Sequence, residues 1–375
     1  MARVEVRVSE DGLHREVLSP DLCRPLTYRI VPRGGAEPPK FNTHDFALIA
    51  LLPIAMHEGQ SLEVDFPADS VLLDGLDHYQ EVWQSWRPDI FRHRVVIRTA
   101  GEYLKTSHQH YPPRAVAAFS SGVDSTFTLA RHIHDRVGRA RRDIRTAVLI
   151  HGFDMPLDAE DGFETLSSSG LAICRQLGVD LVTVATNWRQ LVASWEMTFG
   201  VGLASVLHQF DAAHDLALIA TEESYQNCFP VWGNSFWSDR FFSASSFAIE
   251  SDGGAYDRIQ RAGLVSQYPG LVPHLRVCWA GPRTGQNCGT CPKCTLTKLN
   301  LLAAGAPQPW PFPQPLTPQL VRDMQIKTRW QIQFLELILS HLQKRAGVDP
   351  DILSAVRERI ERRRSPFRRF LALWK

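Results

Sequence analysis

No apolar run in the sequence approaches the roughly 18 residues needed to span a bilayer, and its opening MARVEVRVSE alternates polar and apolar instead of forming a signal core. A cytoplasmic protein without a membrane span is expected. A surplus of charge is also missing: 41 Lys and Arg stand against 40 Asp and Glu, a net of +1. That balance excludes binding nucleic acid through bulk positive charge, though not through a local patch. The Walker A pattern GxxxxGK[ST] is missing, which argues against the usual P-loop that transfers a γ-phosphate. No internal repeat is present. Cysteine is scarce, seven in 375 residues, and four of the seven fall in one short segment. Such crowding excludes a disulfide framework and points to a metal site in a reducing compartment.

What is present divides along the chain. Residues 1–105 read as an N-terminal α+β module: VEVRV, LTYRIVP and SLEVDF have strand-like patterns, and DFALIALLPIAMHEG reads as a buried helix closed by Gly59. From Ala115 the rhythm becomes strand, helix, strand, helix, with AVAAF, RTAVLIHGF, VDLVTVATN, DLALIATEE and FPVWGN as strand candidates. Phe127, Ala130, Ile133 and Val137 would form the buried stripe of the first helix. This alternation predicts an α/β fold over 106–250, a parallel sheet with flanking helices and a ligand site at the carboxyl ends of its strands. Residues 251–306 hold the cysteines, and 307–375 read as a linker, PQPWPFPQPLTP, followed by an amphipathic pattern from Gln319 to Arg345 and a basic tail.

The stretch AVAAFSSGVDSTFTLARH, Ala115 to His132, places small polar residues where a strand gives way to a helix. Unpaired N–H groups there lie at the positive end of the helix dipole, a seat for phosphate. Ser120, Ser121 and Ser125 add hydroxyls, and Gly122 allows close approach. Asp124 would repel polyphosphate unless a cation intervenes, which suggests Mg²⁺. Plain helix capping by Ser and Asp is the alternative.

FSSGVDS resembles the SGGxDS signature of the PP-loop ATP pyrophosphatases. The resemblance implies an adenine nucleotide alpha hydrolase-like fold and an enzyme that binds ATP and releases pyrophosphate. By position, Ser120, Ser121, Gly122, Val123, Asp124 and Ser125 form the nucleotide-binding loop, with Asp124 and Ser125 as its catalytic residues and Ser121 standing where the family usually has glycine. IHGFDMPLD ends the second strand, where this family places adenosine, and Asp154 is a candidate for ribose or metal contact or a turn former. Gly200 and Gly202 in FGVGLAS fit tight helix packing better than a dinucleotide fingerprint.

Cys278, Cys288, Cys291 and Cys294 follow C-x9-C-x2-C-x2-C, a spacing that can converge on Zn²⁺, although a CxxCxxC run also suits an iron–sulfur cluster. Four ligands leave no open position, so a structural role is expected. Cys23, Cys174 and Cys228 read as core residues. A PP-loop followed by these cysteines resembles the 7-cyano-7-deazaguanine synthases, the QueC-like proteins, over Arg114 to Leu302. That resemblance implies zinc at the four cysteines and adenylation of a deazaguanine-like carboxylate for attack by ammonia or an amine. The alternatives are a QueC-like conjugating enzyme of anti-phage operons, a tRNA or small-molecule thiolase using Cys174 or Cys228, and a nucleotide-binding regulator without turnover.

Asn234, Ser235, Ser238, Asp239 and Arg240, with Glu250, Asp252, Asp257 and Arg258, are polar candidates for substrate contact or a solvated loop. Trp232 and Trp237 suit stacking on a purine-like ring or filling the core. His108, His110, His132 and His134 form no ligand pattern. Between Arg357 and Lys375 eight basic residues face two acids, interleaved with Phe367, Phe370, Leu371 and Trp374. Such a tail suits a protein or nucleic-acid partner, or a solvated helix with one packed face. A homo-oligomer is expected.

Overall fold

The computed structural model describes residues 4–20, 22–40, 42–106, 110–227, 231–278, 283–326 and 329–364. In chain order they form β1 (Glu5–Val8), β2 (His14–Leu18), β3 (Leu26–Arg33), α1 (Asp45–Glu58), β4 (Leu62–Glu63), β5 (Ala68–Asp69), α2 (Ser70–Trp86), β6 (Ile97–Arg98) and β7 (Glu102–Tyr103). The α/β region follows with β8 (Arg114–Phe119), α3 (Val123–Ile133), β9 (Asp143–His151), α4 (Glu160–Leu177), β10 (Asp180–Thr186), α5 (Trp195–Leu207), β11 (Leu216–Ala220) and β12 (Ala248–Asp252). Helices α6 (Arg258–Ser266), α7 (Pro292–Ala304), α8 (Pro318–Asp323), α9 (Arg329–Lys344) and α10 (Pro350–Arg364) complete the chain. No helix among the described residues is long and apolar enough to cross a membrane.

One eight-stranded sheet runs in the order β1-β2-β3-β10-β9-β8-β11-β12. Its five strands β8 to β12 are parallel, and β1 to β3 join antiparallel at the β10 edge. Because β8 is central, the chain winds outward through β9 and β10 and then returns to lay β11 on the other side. The carboxyl end of β8 is therefore a topological switch point, where open α/β sheets form a crevice for ligand.

Period-two alternation divides the sheet residues between two cores. On β8, Val116 and Ala118 face the core containing α1, α2 and α5, whereas Ala115, Ala117 and Phe119 face the one containing α3 and α4. Helix α1 is apolar on every side and buried from Asp45 to Met56, as a helix enclosed by sheet, α2 and α5 must be. It stops at Gly59, whose φ of 77° is the left-handed turn glycine adopts most readily. Asp69 caps α2, its carboxylate accepting from the N–H of Val71 and Leu72 at 3.0 and 3.2 Å.

Several expectations are corrected. Residues 1–105 do not form a module apart: β3 pairs with β10 from Tyr28↔Thr186 to Arg33↔Leu181, and both regions share one core. Local alternation marks a strand but does not name its partner. Val231–Asn234 is not strand, and Phe229–Pro230 lies outside the described residues; the fifth parallel strand is β12, so a boundary at 250/251 cuts it. Helix α3 closes at Ile133, short of Val137. The stretch 307–318 is packed and not a free linker, since Trp310 and Phe312 lie against the apolar clusters around Ala262, Leu301 and Cys278. The amphipathic pattern from Gln319 is split into α8 and α9, which with α10 enclose a core with Ile259 and Leu299.

At the end of β9 the chain passes so close to β10 that only glycine fits. A Cβ on Gly152 would lie 1.9 Å from the Thr186 carbonyl oxygen, and its φ is +104°. Gly152→Ala combines a backbone clash with a disfavoured dihedral, and a loss of at least ~2 kcal/mol is expected in denaturant titration.

Candidate functional site

The bend after β8 is built from its own polar groups. Ser125 Oγ accepts from the Ser120 N–H at 3.2 Å, lies 3.2 Å from Ser120 Oγ and donates to the Gly122 carbonyl at 3.4 Å; the Gly122 N–H donates to Ser120 Oγ at 3.3 Å. Gly122 is the N-cap of α3 and offers no side-chain cap, so the head of that helix keeps N–H groups for an external acceptor. Ser121, where the resembled family has glycine, sits at φ +59°. Serine enters this region at a cost of ~1–2 kcal/mol, so its surroundings must hold it there. They do so on two sides: its carbonyl accepts the Arg276 N–H at 2.8 Å, and its fully buried side chain lies against Gly170 of α4, where a Cβ would come within 3.0 Å of Ser121 Oγ. Among the described residues that hydroxyl has no hydrogen-bond partner.

Asp124 is not alone. Its Oδ1 accepts from Arg261 Nη1 at 2.6 Å, and Arg258 Nε lies 3.9 Å from Oδ2. Arg261 is almost fully buried, and its other donors reach the carbonyls of Thr221, Gly253 and Tyr256 and the Thr221 hydroxyl. One side chain thus ties the bend to the carboxyl ends of β11 and β12. The protein itself supplies a cation at the carboxylate for which Mg²⁺ was inferred. Glu223, facing Arg258 at 3.3 Å, is pushed up to about 7 by burial, which Arg258 only partly offsets. These two residues border a small chamber with Asn227, Asn300, Phe334 and Leu337.

Asp154 stands exposed on the β9–α4 loop, where its charge acts on Arg276. Of the remaining candidates, Asn234, Ser235, Ser238 and Asp239 are buried and structural. Asp239 accepts from the Ser235 N–H and the Ser251 hydroxyl, both at 3.0 Å, and burial pushes its carboxyl up to about 7. Its folded value lies above the unfolded one, so its contribution is fully present below about pH 4 and is lost as pH rises through 7. Asp239→Asn, which keeps an acceptor for Ser235, is expected to flatten the stability profile between pH 4 and 7, read from denaturant midpoints.

Gly200 and Gly202 serve helix packing: a Cβ would meet the Gly233 carbonyl oxygen at 2.1 Å in one case and the Trp188 ring at 2.6 Å in the other. His132 is a buried partner of Asp252 at 3.1 Å, and His134 stacks on Tyr268. Cys174 lies in the core with its thiol pushed up to about 12 by burial, which makes it a poor nucleophile. His108, Cys228 and the tail residues Phe367, Phe370, Leu371 and Trp374 lie outside the described residues.

Cys278, Cys288, Cys291 and Cys294 bring their sulfurs together within 4.8 Å of one another. The separations of 3.4, 3.7 and 3.9 Å for 278–288, 278–291 and 288–294 surround the ~3.8 Å edge of a tetrahedron with 2.3 Å Zn–S bonds. The cluster fits a metal ion such as zinc. N–H groups of Cys291 and Cys294 point at the sulfurs of Cys288 and Cys291. Hydrogen bonding with Cys294 is the largest influence bringing the Cys291 thiol down to about 5. Around the cluster, buried Lys298 Nζ donates to the carbonyls of Gly289, Gln314 and Pro315, and Asn287 Oδ1 accepts from the N–H of Val277 and Cys278. Sequence reasoning missed Arg261, Arg276, Asn287 and Lys298. The available signal for Arg261 was its place on the apolar stripe of α6, beside Ile259, Ala262 and Val265.

No family model, no curated protein and no solved structure matches the chain.

Proposed function

We propose that this chain is an ATP-dependent enzyme that adenylates a carboxylate, releases pyrophosphate and passes the activated acyl group to ammonia or an amine, in the manner of the QueC-like proteins it resembles. The observation that carries this reading is the bend at the switch point: Ser121, held left-handed, turns the chain into the uncapped head of α3 beside the hydroxyls of Ser120 and Ser125. Such a group of donors suits the terminal phosphates of a nucleoside triphosphate.

A carboxylate oxygen then attacks the α-phosphorus and pyrophosphate leaves; the amine next attacks the acyl carbon and AMP leaves with the bonding pair. In this reading the N–H groups of the bend absorb charge on departing pyrophosphate, each well-placed donor contributing ~3 kcal/mol. Asp124 would hold Mg²⁺ together with phosphate oxygens, and Arg261 fixes that carboxylate. The four cysteines hold zinc in a structural role, and the basic tail provides contact with a protein or nucleic-acid partner.

One observation favours a second reading, a nucleotide-binding regulator that does not turn over: Asp124 is already paired with a buried arginine. Incubation with α-labelled ATP and a panel of carboxylates, deazaguanine acids included, separates the two. AMP and pyrophosphate formed one to one only with an acid support the enzyme. ADP and phosphate overturn it, and bound ATP with neither product supports the regulator.

A further inference from the structure

The four-cysteine cluster and the serine-rich bend share a wall. Cys278 ends the segment Leu275–Cys278, and that segment lies against the bend at three consecutive positions. The Arg276 N–H donates to the Ser121 carbonyl at 2.8 Å. A Cβ on Gly122 would stand 3.7 Å from the Arg276 carbonyl oxygen. Val123, the first residue of α3, packs against Val277, Cys278 and Cys294. A left-handed serine persists only where its neighbours over-determine it, and on this side the neighbour is the backbone of Arg276, two residues before a cysteine of the cluster.

Leu275 heads that segment from the core beside α3 and α4, its N–H on the Val272 carbonyl at 3.2 Å, and polar groups hold the residues that follow. Asn287 accepts from the N–H of Val277 and Cys278 at 2.8 and 3.2 Å and donates to the carbonyls of Leu275 and Pro311 at 2.9 and 2.8 Å. Arg276 Nε donates to Gly285 at 3.0 Å. At its far end the segment is tied to the cluster through the Cys278 sulfur, 3.4 Å from that of Cys288 and 3.7 Å from that of Cys291.

We infer that metal at the four cysteines sets the shape of the bend, with Asn287 as the positioning residue that transmits it, so that loading the metal tightens binding of a triphosphate. This coupling rests on the proposed nucleotide reading for its ligand but not for its geometry. Without the metal, Arg276–Cys278 loosens behind the anchored Leu275, Ser121 relaxes from its left-handed conformation, and the uncapped N–H groups no longer converge.

The test uses the full chain, zinc-loaded and chelator-stripped, together with Asn287→Ala. Two quantities are read: amide hydrogen exchange at Ser120, Gly122 and Arg276, and the affinity of a fluorescent ATP analogue, with circular dichroism reporting the fold and mass spectrometry the zinc. Stripping is expected to speed exchange at these amides at least tenfold and to weaken the analogue at least tenfold. Asn287→Ala should do the same with zinc retained. Unchanged exchange in the stripped protein overturns the inference. Should stripping unfold the chain, Asn287→Ala decides alone: folded and zinc-bound with native exchange at the three amides, it overturns the inference equally. Metal-dependent exchange in a loaded protein that binds no analogue upholds the coupling and overturns the nucleotide reading instead.

Discussion

Asp124→Asn is expected to reduce ATP-dependent pyrophosphate release at least ~100-fold while remaining folded. The size of the loss follows from removing one charge in a preorganised site, where single groups contribute ~10²–10³ in rate. The fold should survive because asparagine still presents an oxygen to Arg261, whose other donors remain engaged with Thr221, Gly253 and Tyr256, at a cost of ~1–3 kcal/mol for the lost charge pairing. Asp124→Ala tests the same point less cleanly, since it leaves a buried guanidinium donor without its acceptor. Full pyrophosphate release by the asparagine variant would remove Asp124 from the chemistry. Ser121 offers a control on the backbone: Ser121→Gly relieves the left-handed dihedral and should fold at least as well, whereas Ser121→Val adds a β-branch at φ +59° and should not.

Cys291→Ser should lose the metal and at least ~3 kcal/mol of stability, because a structural zinc site contributes its binding energy to folding. Cys291 is both a member of the cluster and the N-cap of α7, where its sulfur accepts the Cys294 N–H. Serine can keep the cap, so the loss reports the metal. The readouts are metal content and the denaturant midpoint. A metal-free variant with the wild-type midpoint would show that the sulfurs do not carry the local fold.

The sequence made the bend and the cysteines legible because both are short and local. A strand run, small polar residues and a helical stripe occur within Ala115–His132, and CxxCxxC places three sulfurs within one turn and the start of a helix. Features requiring distant partners were not legible. Nothing around Leu26–Arg33 says that it pairs with β10, and nothing in RIQRAGLV says that its second arginine reaches Asp124, 137 residues away. PQPWPFPQP has the composition of a linker, yet its tryptophan and phenylalanine are packed. Apolar content there was a better guide than proline. Helix α1 carried no amphipathic period because every side of it is covered, so its identity rested on length and on Gly59.

The antiparallel edge of the sheet bears on how the chain is made. Arg33 and Thr183, bonded across β3 and β10, are 150 residues apart. During synthesis from the amino terminus, Leu26–Arg33 leaves the ribosome long before β10 exists; α1 can cover part of it, with Phe46 against Tyr28, but the edge that β10 will occupy stays open. That open edge of β3 must stay unpaired through the translation of β8 and β9, which makes it the strand edge most exposed to wrong pairing before the sheet is complete.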